Sequence, residues 1–69
     1  MKHIEKAISI IGTQKKLADL CGVSQVAVHK WLNGANVKPE HAVKIEAETN
    51  GEVRKQDICP NFPWSEVAA

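Results

Sequence analysis

The sequence has few cysteines and no long apolar run, and each shortage excludes a class of protein. Cys21 and Cys59 are too few and too far apart for a disulfide scaffold or a four-ligand zinc site. The longest apolar stretch, Ala7 to Ile11, is interrupted by Ser9, and the first residues lack the apolar segment of a secretory signal. We therefore expect reduced cysteines, no metal, no membrane association and a cytoplasmic protein.

The chain is also short. Its 69 residues, 43% hydrophobic and 4% aromatic, suffice for one small domain. Such a domain buries only about 60% of its unfolded surface, which leaves little room for a deep catalytic cavity. Ser24, His29 and Asp19 could be drawn as a catalytic triad, but capping and surface roles already account for them. We expect no enzymatic activity, no cofactor and no small-molecule substrate.

The charges are unevenly distributed, although 9 basic side chains nearly balance 8 acidic ones. Residues 1–44 contain seven lysines and three acidic residues, whereas residues 45–69 contain two basic and five acidic residues. The first part therefore carries +4 and the second −3, which together give the +1 of the whole chain. The first two thirds could face a polyanion, and a merely solvated lysine surface is the alternative.

The spacing of apolar residues predicts helices in the first third of the chain. Four of them recur at i, i+3, i+4 and i+7 on one helical face: Ile4, Ala7, Ile8 and Ile11. Gly12 follows at the place of a left-handed C-terminal cap. A second, short helix begins after Thr13, an N-cap candidate, and ends at Gly22, where a positive φ costs little.

The strongest local pattern is a helix-turn-helix. Ala18 supplies the small residue where two helices touch, Gly22 the turn, and Ser24 the N-cap of a third helix from Gln25 to Asn33. The apolar anchors lie on both helices and in the turn: Leu17, Val23, Val28 and Trp31. Because Trp31 faces inward, packing in the core is a better explanation for it than stacking on a base.

The remainder of the chain predicts a fourth helix, a short element and a tail. Pro39 suits the first turn of a helix that stops at Asn50-Gly51, and residues 53–58 fit either a short helix or a strand. Residues 59–64 include two prolines and are expected to be mostly extended. We predict an all-α domain of four or five helices over residues 1–58, with a central helix-turn-helix, and a short extended tail over residues 59–69.

The outward face of the third helix is polar without being rich in charge, which suits contact with base edges. The amides of Gln25 and Asn33 match adenine N6 and N7, His29 can donate to guanine, and Val26 can touch a thymine methyl. With Lys30 these form the predicted base-reading set. For Val26 the alternative is partial burial or contact with a dimer partner, and for Gln25 and Asn33 it is local helix capping.

A second set of polar residues could hold DNA phosphates without reading sequence. Backbone amides and side chains at the amino end of a helix bind anions, and lysines neutralise phosphates. The predicted phosphate contacts are Thr13, Gln14, Lys15, Lys16, Ser24 and Lys38. The alternatives are that Thr13 is only an N-cap and that some of the lysines are only solvated.

Phe62 and Trp64 are large apolar residues in the predicted tail. Exposure of two large apolar side chains to water is unfavourable. We therefore expect them to dock on the same subunit, on a twofold-related subunit or on another protein. Of these three possibilities we favour docking on a twofold-related subunit in a dimer. One recognition helix reads only a few base pairs, whereas a dimer reads two half-sites about one helical turn apart.

Four segments also carry a resemblance to a known family. They are Gly12-Thr13-Gln14, Leu17-Ala18 through Gly22-Val23-Ser24, Ala27-Val28-His29-Lys30-Trp31, and Lys38-Pro39-Glu40-His41-Ala42 with Ile45-Glu46. Across roughly residues 3 to 60 the chain resembles the Cro-like and YdaS-like helix-turn-helix proteins of phages and prophages, which are small all-helical repressors or antitoxin-type regulators. It departs from them after Gly51, where Arg54 stands near the place of a capping Thr or Ser.

The resemblance implies a function as well as a fold. It implies a homodimer, formed in solution or only on DNA, that binds a palindromic operator in duplex DNA with the third helix in the major groove. It also implies repression by occlusion of a promoter, in the cytoplasm of a bacterial host and on its nucleoid. The rival is an antitoxin-like or adaptor protein that holds a partner through its C-terminal tail. Steep weakening of binding as salt rises would favour DNA as the partner.

Overall fold

The computed structural model describes residues 1–66, and within them it contains five α-helices, one short 3-10 helix and no strand. The helices are α1 (Lys2–Ile11), α2 (Gln14–Cys21), α3 (Gln25–Leu32), α4 (Pro39–Glu48) and α5 (Lys55–Ile58), and the 3-10 helix is Trp64–Glu66. The predicted all-α class is confirmed, and the short element after residue 53 is a helix. None of these helices has the length and apolar content needed to cross a bilayer.

A single core joins all five helices. α1 contributes Ile4 and Ala7, α5 contributes Ile58, and the complete set of buried apolar residues is Ile4, Ala7, Leu17, Ala18, Val28, Trp31, Val37, Ala42, Ile45, Val53 and Ile58. Other apolar residues lie half-buried at its margin, among them Ile8, Ile11, Leu20, Cys21 and Leu32. The core therefore holds one side of α3 fixed while the opposite side faces outward.

The turn between α2 and α3 has the predicted capping geometry. Gly22 has φ 69° and ψ 31°, the left-handed conformation that closes α2. The Val23 amide donates to the Ala18 carbonyl at 3.0 Å, and Ser24 Oγ accepts from the Ala27 amide at 3.2 Å to begin α3. The helix-turn-helix is therefore specified by short-range interactions within a few residues of the turn.

The end of α1 differs in detail from the expected left-handed cap. Gly12 has φ 129° and ψ −57°, a positive φ that lies outside the left-handed helical region. A Cβ at this position would lie 3.3 Å from Cδ of Lys16, so the lysine stem passes close over the glycine. Thr13 then caps α2 as predicted, with Oγ1 accepting from the Lys16 amide at 3.1 Å.

The end of α4 is tied to the following turn by a buried hydroxyl. Thr49 is 1% exposed, and its Oγ1 donates to the Ile45 carbonyl at 2.8 Å while accepting from the Val53 amide at 3.2 Å. A buried backbone N–H needs a partner, and here a side chain provides it. The hydroxyl therefore fixes the direction in which the chain leaves α4.

Glu46 on α4 replaces the missing cap of α5. Arg54 occupies the N-cap position but makes no side-chain capping bond. Instead, Glu46 Oε2 accepts from the Lys55 amide at 3.0 Å, and its Oε1 lies 3.2 Å from Lys55 Nζ. The hydrogen bond from the Lys55 amide, helped by the lysine and arginine charges and partly opposed by burial, lowers the pKa of Glu46.

The segment after α5 is turned, whereas the two prolines predicted a mostly extended chain. The Phe62 amide donates to the Cys59 carbonyl, and the indole N–H of Trp64 donates to the same carbonyl at 2.8 Å. This arrangement packs Trp64 against the core and satisfies its only polar atom. Proline is compatible with turns as well as with extended chain. The burial of the Trp64 indole therefore determines that this segment is turned. Residues 67–69 of the predicted tail lie outside the described residues.

Candidate nucleic-acid interface

α3 presents an outer face that takes no part in the core. Gln25, His29 and Lys30 are exposed, and Val26 has 63% of its surface exposed. On the opposite side of the same helix, Val28 and Trp31 are buried. Four of the five predicted base-reading residues thus lie outward on α3, held in place by the packing of its inner side.

Asn33, the fifth predicted reader, is placed differently. It occupies the C-cap position of α3, and its Nδ2 donates to the His29 carbonyl at 2.9 Å. Its backbone amide donates to the carbonyls of His29 and Lys30. The amide nitrogen is therefore used inside the chain, which matches the capping alternative, whereas the residue as a whole remains exposed.

The amino end of α2 brings together four of the predicted phosphate contacts. Thr13 is the N-cap, Gln14 begins the helix, and Lys15 and Lys16 follow; all four are exposed. Lys15 Nζ lies 2.9 Å from Asp19 Oδ2, an exposed pair that contributes little to stability but offsets one positive charge. Lys16 is therefore a stronger candidate than Lys15 for a cation available to a phosphate.

Ser24 and Lys38 lie at the starts of the two helices that flank the α3–α4 loop. Ser24 accepts from the Ala27 amide and is exposed, so its hydroxyl has a local capping role. Lys38 is the N-cap residue of α4, makes no side-chain capping bond and is exposed. Both residues are exposed, Ser24 at the start of α3 and Lys38 at the start of α4.

The charge asymmetry of the sequence becomes an asymmetry of the surface. All seven lysines of residues 1–44 are exposed: Lys2, Lys6, Lys15, Lys16, Lys30, Lys38 and Lys44. Lys55, by contrast, is half-buried, paired with Glu46 and positioned with Nζ 5.5 Å from the centre of the Trp64 ring. The cations available to a polyanion thus belong mainly to the part of the chain that carries α3.

Phe62 and Trp64 form a small aromatic cluster on their own chain. Their ring centres are 4.5 Å apart, both are half-buried, and Trp64 packs against the core. Phe62 also lines a mainly apolar cleft of about 350 Å³ between the α3–α4 loop and residues 58–62. Trp64 therefore docks on its own subunit, which is one of the three expected possibilities, while one side of Phe62 faces the cleft.

The two cysteines and the ionisable residues form no further chemical centre in the described chain. Cys21 and Cys59 are free and half-buried. Burial raises the pKa of the Cys21 thiol, and the positive charge of Lys44 partly opposes this. Within residues 1–66, no group of three or more His, Cys, Asp or Glu side chains is arranged to hold a metal ion.

Two features of this surface went unpredicted. The Lys15–Asp19 pair has the i, i+4 spacing of a helical ion pair, so sequence spacing could have revealed it. The packing of the Lys16 stem over Gly12 depends on the angle between α1 and α2, and spacing alone carries no signal for it.

Comparison with known proteins gives consistent matches over nearly the whole chain. The model of the family described as "Bacterial toxin YdaS" matches residues 4–67. The regulatory protein cro of Pseudomonas phage D3 is 33% identical over 66 residues, covering 94% of this chain and 90% of that protein. Escherichia coli (strain K12) YdaS, described as a transcriptional regulator, is 36% identical over 62 residues, covering 88% of this chain and 63% of that protein.

A solved structure matches the fold over both full lengths. The Cro protein from the prophage element Xfaso 1 of Xylella fastidiosa strain Ann-1 superimposes with a TM-score of 0.77 and 32% sequence identity. The alignment covers 100% of each chain. Residues 59–66, which follow α5, are therefore included in the region of structural similarity.

Proposed function

Because this chain belongs to the Cro/YdaS-like family of phage and prophage regulators, we propose that it regulates transcription by binding duplex DNA with α3 in the major groove. The observation that carries the proposal is the division of α3 into two faces. Val28 and Trp31 anchor it in the core, while Gln25 and His29 are exposed on the other side. A helix held in this way can enter the major groove without loss of core packing.

The exposed face supplies the chemistry of base reading. The Gln25 amide can make paired hydrogen bonds with adenine, and the ring of His29 can donate to guanine N7 or O6. Lys30, one residue further along the helix, reaches either a guanine edge or a phosphate. Asn33 acts mainly through the end of α3, because its Nδ2 is bonded to the His29 carbonyl.

The phosphate contacts come from the ends of α2, α3 and α4. The amino end of α2 offers Thr13 and Gln14, and Lys16 in α2 and Lys38 at the start of α4 add exposed charges. Ser24 contributes at the start of α3, and Lys15 contributes less because Asp19 shares its charge. These contacts set register and orientation and leave sequence discrimination to α3.

Two copies of the chain would bind a palindromic operator, either as a solution dimer or as a dimer formed on DNA. One α3 of eight residues reads few base pairs, so two half-sites about one turn apart are needed for specificity. The exposed side of Phe62 and the cleft beside it are the proposed contact surface between copies. Occupation of such a site within a promoter would repress transcription.

Selection of random duplex DNA by the purified protein at about physiological salt tests this proposal. We expect an enriched palindrome whose half-sites are about one helical turn apart. Affinity for that sequence should fall steeply with salt, because phosphate neutralisation releases counterions. An unenriched pool that binds only at the non-specific level would contradict the proposal.

Gln25 and Lys16 provide a matched pair of variants with different expected effects. Gln25→Ala should reduce discrimination at one operator position by about 1–3 kcal/mol, because it removes a paired contact to a base. Lys16→Ala should weaken operator and random DNA alike and lower the slope of log affinity against log salt by about 0.9 for each copy bound. Equal losses on operator and random DNA for Gln25→Ala would exclude it as a reader.

A second candidate function is a protein-interaction module that uses the C-terminal segment. The apolar cleft beside Phe62 favours it. A partner held through this cleft would bind with little dependence on salt, since apolar contacts are not screened. Titration of Phe62→Ala against operator DNA and against a candidate protein partner separates the two functions.

A further inference from the structure

Val26 is an apolar side chain placed where the rest of the exposed face is polar. With 63% of its surface exposed, it exceeds the other large exposed apolar residues of the described chain, Ile10 at 39% and Val43 at 47%. It lies in the first turn of α3, and Gln25, His29 and Lys30 on the same helix are exposed around it. A β-branched residue gains nothing from an exposed helical position, so local structure does not favour valine here.

We propose that Val26 contacts the C5-methyl group of a pyrimidine in the major groove, so that binding depends on the methylation state of that base. This inference rests on the proposed DNA-binding function. The thymine methyl is the one apolar group that base pairs present in the major groove, and apolar side chains are its usual partners. 5-Methylcytosine carries a methyl at the same ring position, so the ligand is a 5-methylpyrimidine.

The residues beside Val26 favour an A·T pair at this point of the half-site. α3 has the sequence QVAVHKWL, without an acidic residue to accept from cytosine, and the two side chains that can donate to guanine, His29 and Lys30, lie one turn further along the helix than Val26. Gln25, adjacent to Val26, carries the amide that matches adenine. One A·T pair displays adenine N6 and N7 together with the thymine methyl, so Gln25 and Val26 fit the two parts of a single base pair.

The surroundings of Val26 do not favour a protein partner instead. The centre of a protein interface is a continuous apolar patch. Here the exposed neighbours on α3 are an amide, an imidazole and an ammonium group, and the two other large exposed apolar residues lie on α1 and α4. The two methyl groups of Val26 form a small apolar surface among polar neighbours. A single methyl group of a base is small enough to fit such a surface, whereas a protein interface would need a larger one.

Uracil substitution tests the contact without changing any hydrogen-bonding group of the operator. Using the selected operator, each thymine of the half-site is replaced in turn by uracil, which removes only the C5-methyl. We expect one position at which the change weakens wild-type binding about fourfold per half-site, the effect of exposing one methyl-sized group. At that position the change should have no effect on Val26→Ala, which has already lost the contact.

Val43→Ala is the matched control, because it truncates another exposed valine outside α3 and should retain the full fourfold uracil effect. In a second arm, the same position carries G·C with cytosine or 5-methylcytosine, and we expect the methylated form to bind wild-type protein about fourfold more tightly. Equal binding of the two forms would overturn the extension to methylcytosine.

Two results would overturn the inference in distinguishable ways. If the operator binds specifically but Val26→Ala shows the same uracil effect as wild-type protein, the methyl contact is wrong and the proposed function stands. If no sequence is preferred in the initial selection, the proposed function itself fails, and the inference fails with it.

Discussion

Replacement of Glu46 by glutamine should uncouple α5 from α4. The substitution keeps the shape of the side chain and one oxygen acceptor but removes the charge that Lys55 contacts twice, at 3.0 Å through its amide and at 3.2 Å through Nζ. Because Arg54 makes no capping bond of its own, the variant retains only a neutral hydrogen bond at the start of α5. Thermal unfolding should therefore report the change directly.

The size of the effect follows from the geometry. A hydrogen bond to a charged group contributes about 1.5–3 kcal/mol and a neutral one about 0.5–1.5 kcal/mol, so the change of acceptor costs about 1 kcal/mol. The ion pair with Lys55 adds about 0.5 kcal/mol, since both side chains are only 27–29% exposed. For a domain of this size each kcal/mol lowers Tm by about 4–8 °C, which circular dichroism resolves easily.

The effect should depend on pH with a definite sign. The pKa of Glu46 is lower in the folded chain than in the unfolded chain. The charged carboxylate therefore contributes fully to the stability of the fold at pH values above the ordinary pKa of a glutamate. This stabilisation is lost as the pH falls through the pKa that Glu46 has in the folded chain. Wild-type protein and Glu46→Gln should therefore differ in stability at about pH 7, and the difference should shrink as the pH is lowered below the ordinary pKa of a glutamate.

Glu48 provides the control for Glu46, because it is an exposed carboxylate on the same helix. Glu48→Gln should leave the free energy of unfolding within about 0.5 kcal/mol of the wild-type value, as is usual for surface substitutions. The reasoning is refuted if Glu46→Gln unfolds like wild-type protein at neutral pH. A difference in stability that does not shrink as the pH is lowered refutes it as well, because the charge would then contribute nothing.

Three further substitutions should change stability or binding. Thr49→Val should destabilise the chain by about 1–3 kcal/mol in urea unfolding, because the buried Val53 amide loses its acceptor, whereas Thr49→Ser should retain most of the stability. Gly22→Ala should cost about 1–2 kcal/mol through backbone strain alone, since φ is 69° and a Cβ there would meet nothing within 4 Å; a loss far above this range would point to a clash. Asn33→Ala should weaken operator and random DNA by similar factors, and a loss confined to one operator position would instead make Asn33 a reader.

The helix-turn-helix could be predicted because the interactions that specify it are local. Ser24 bonds to an amide three residues along the chain, and Gly22 adopts the left-handed conformation within its own turn. The inner residues of α3 follow from helical spacing, which fixes Val28 and Trp31 on the side away from Gln25. Sequence alone therefore predicts both the anchored side and the exposed side of the candidate site.

The C-terminal third was harder to predict because its stabilising contacts join separate elements. The Glu46–Lys55 contact spans nine residues and forms only when α4 and α5 pack together. The turn at residues 59–64 depends on an indole that reaches back to the Cys59 carbonyl. Proline counts predict an extended chain for such a segment, whereas the burial of Trp64 decides its conformation.

The separation of the two faces of α3 has a consequence for how such a protein can diversify. Residues that face outward, such as Gln25 and His29, can be exchanged with little effect on the free energy of folding, because they make no contribution to the core. A lineage can therefore acquire a new operator by a few substitutions on one helix, while the scaffold of the remaining helices stays the same. Recognition and folding are encoded in different residues of α3, so selection can act on each without disturbing the other.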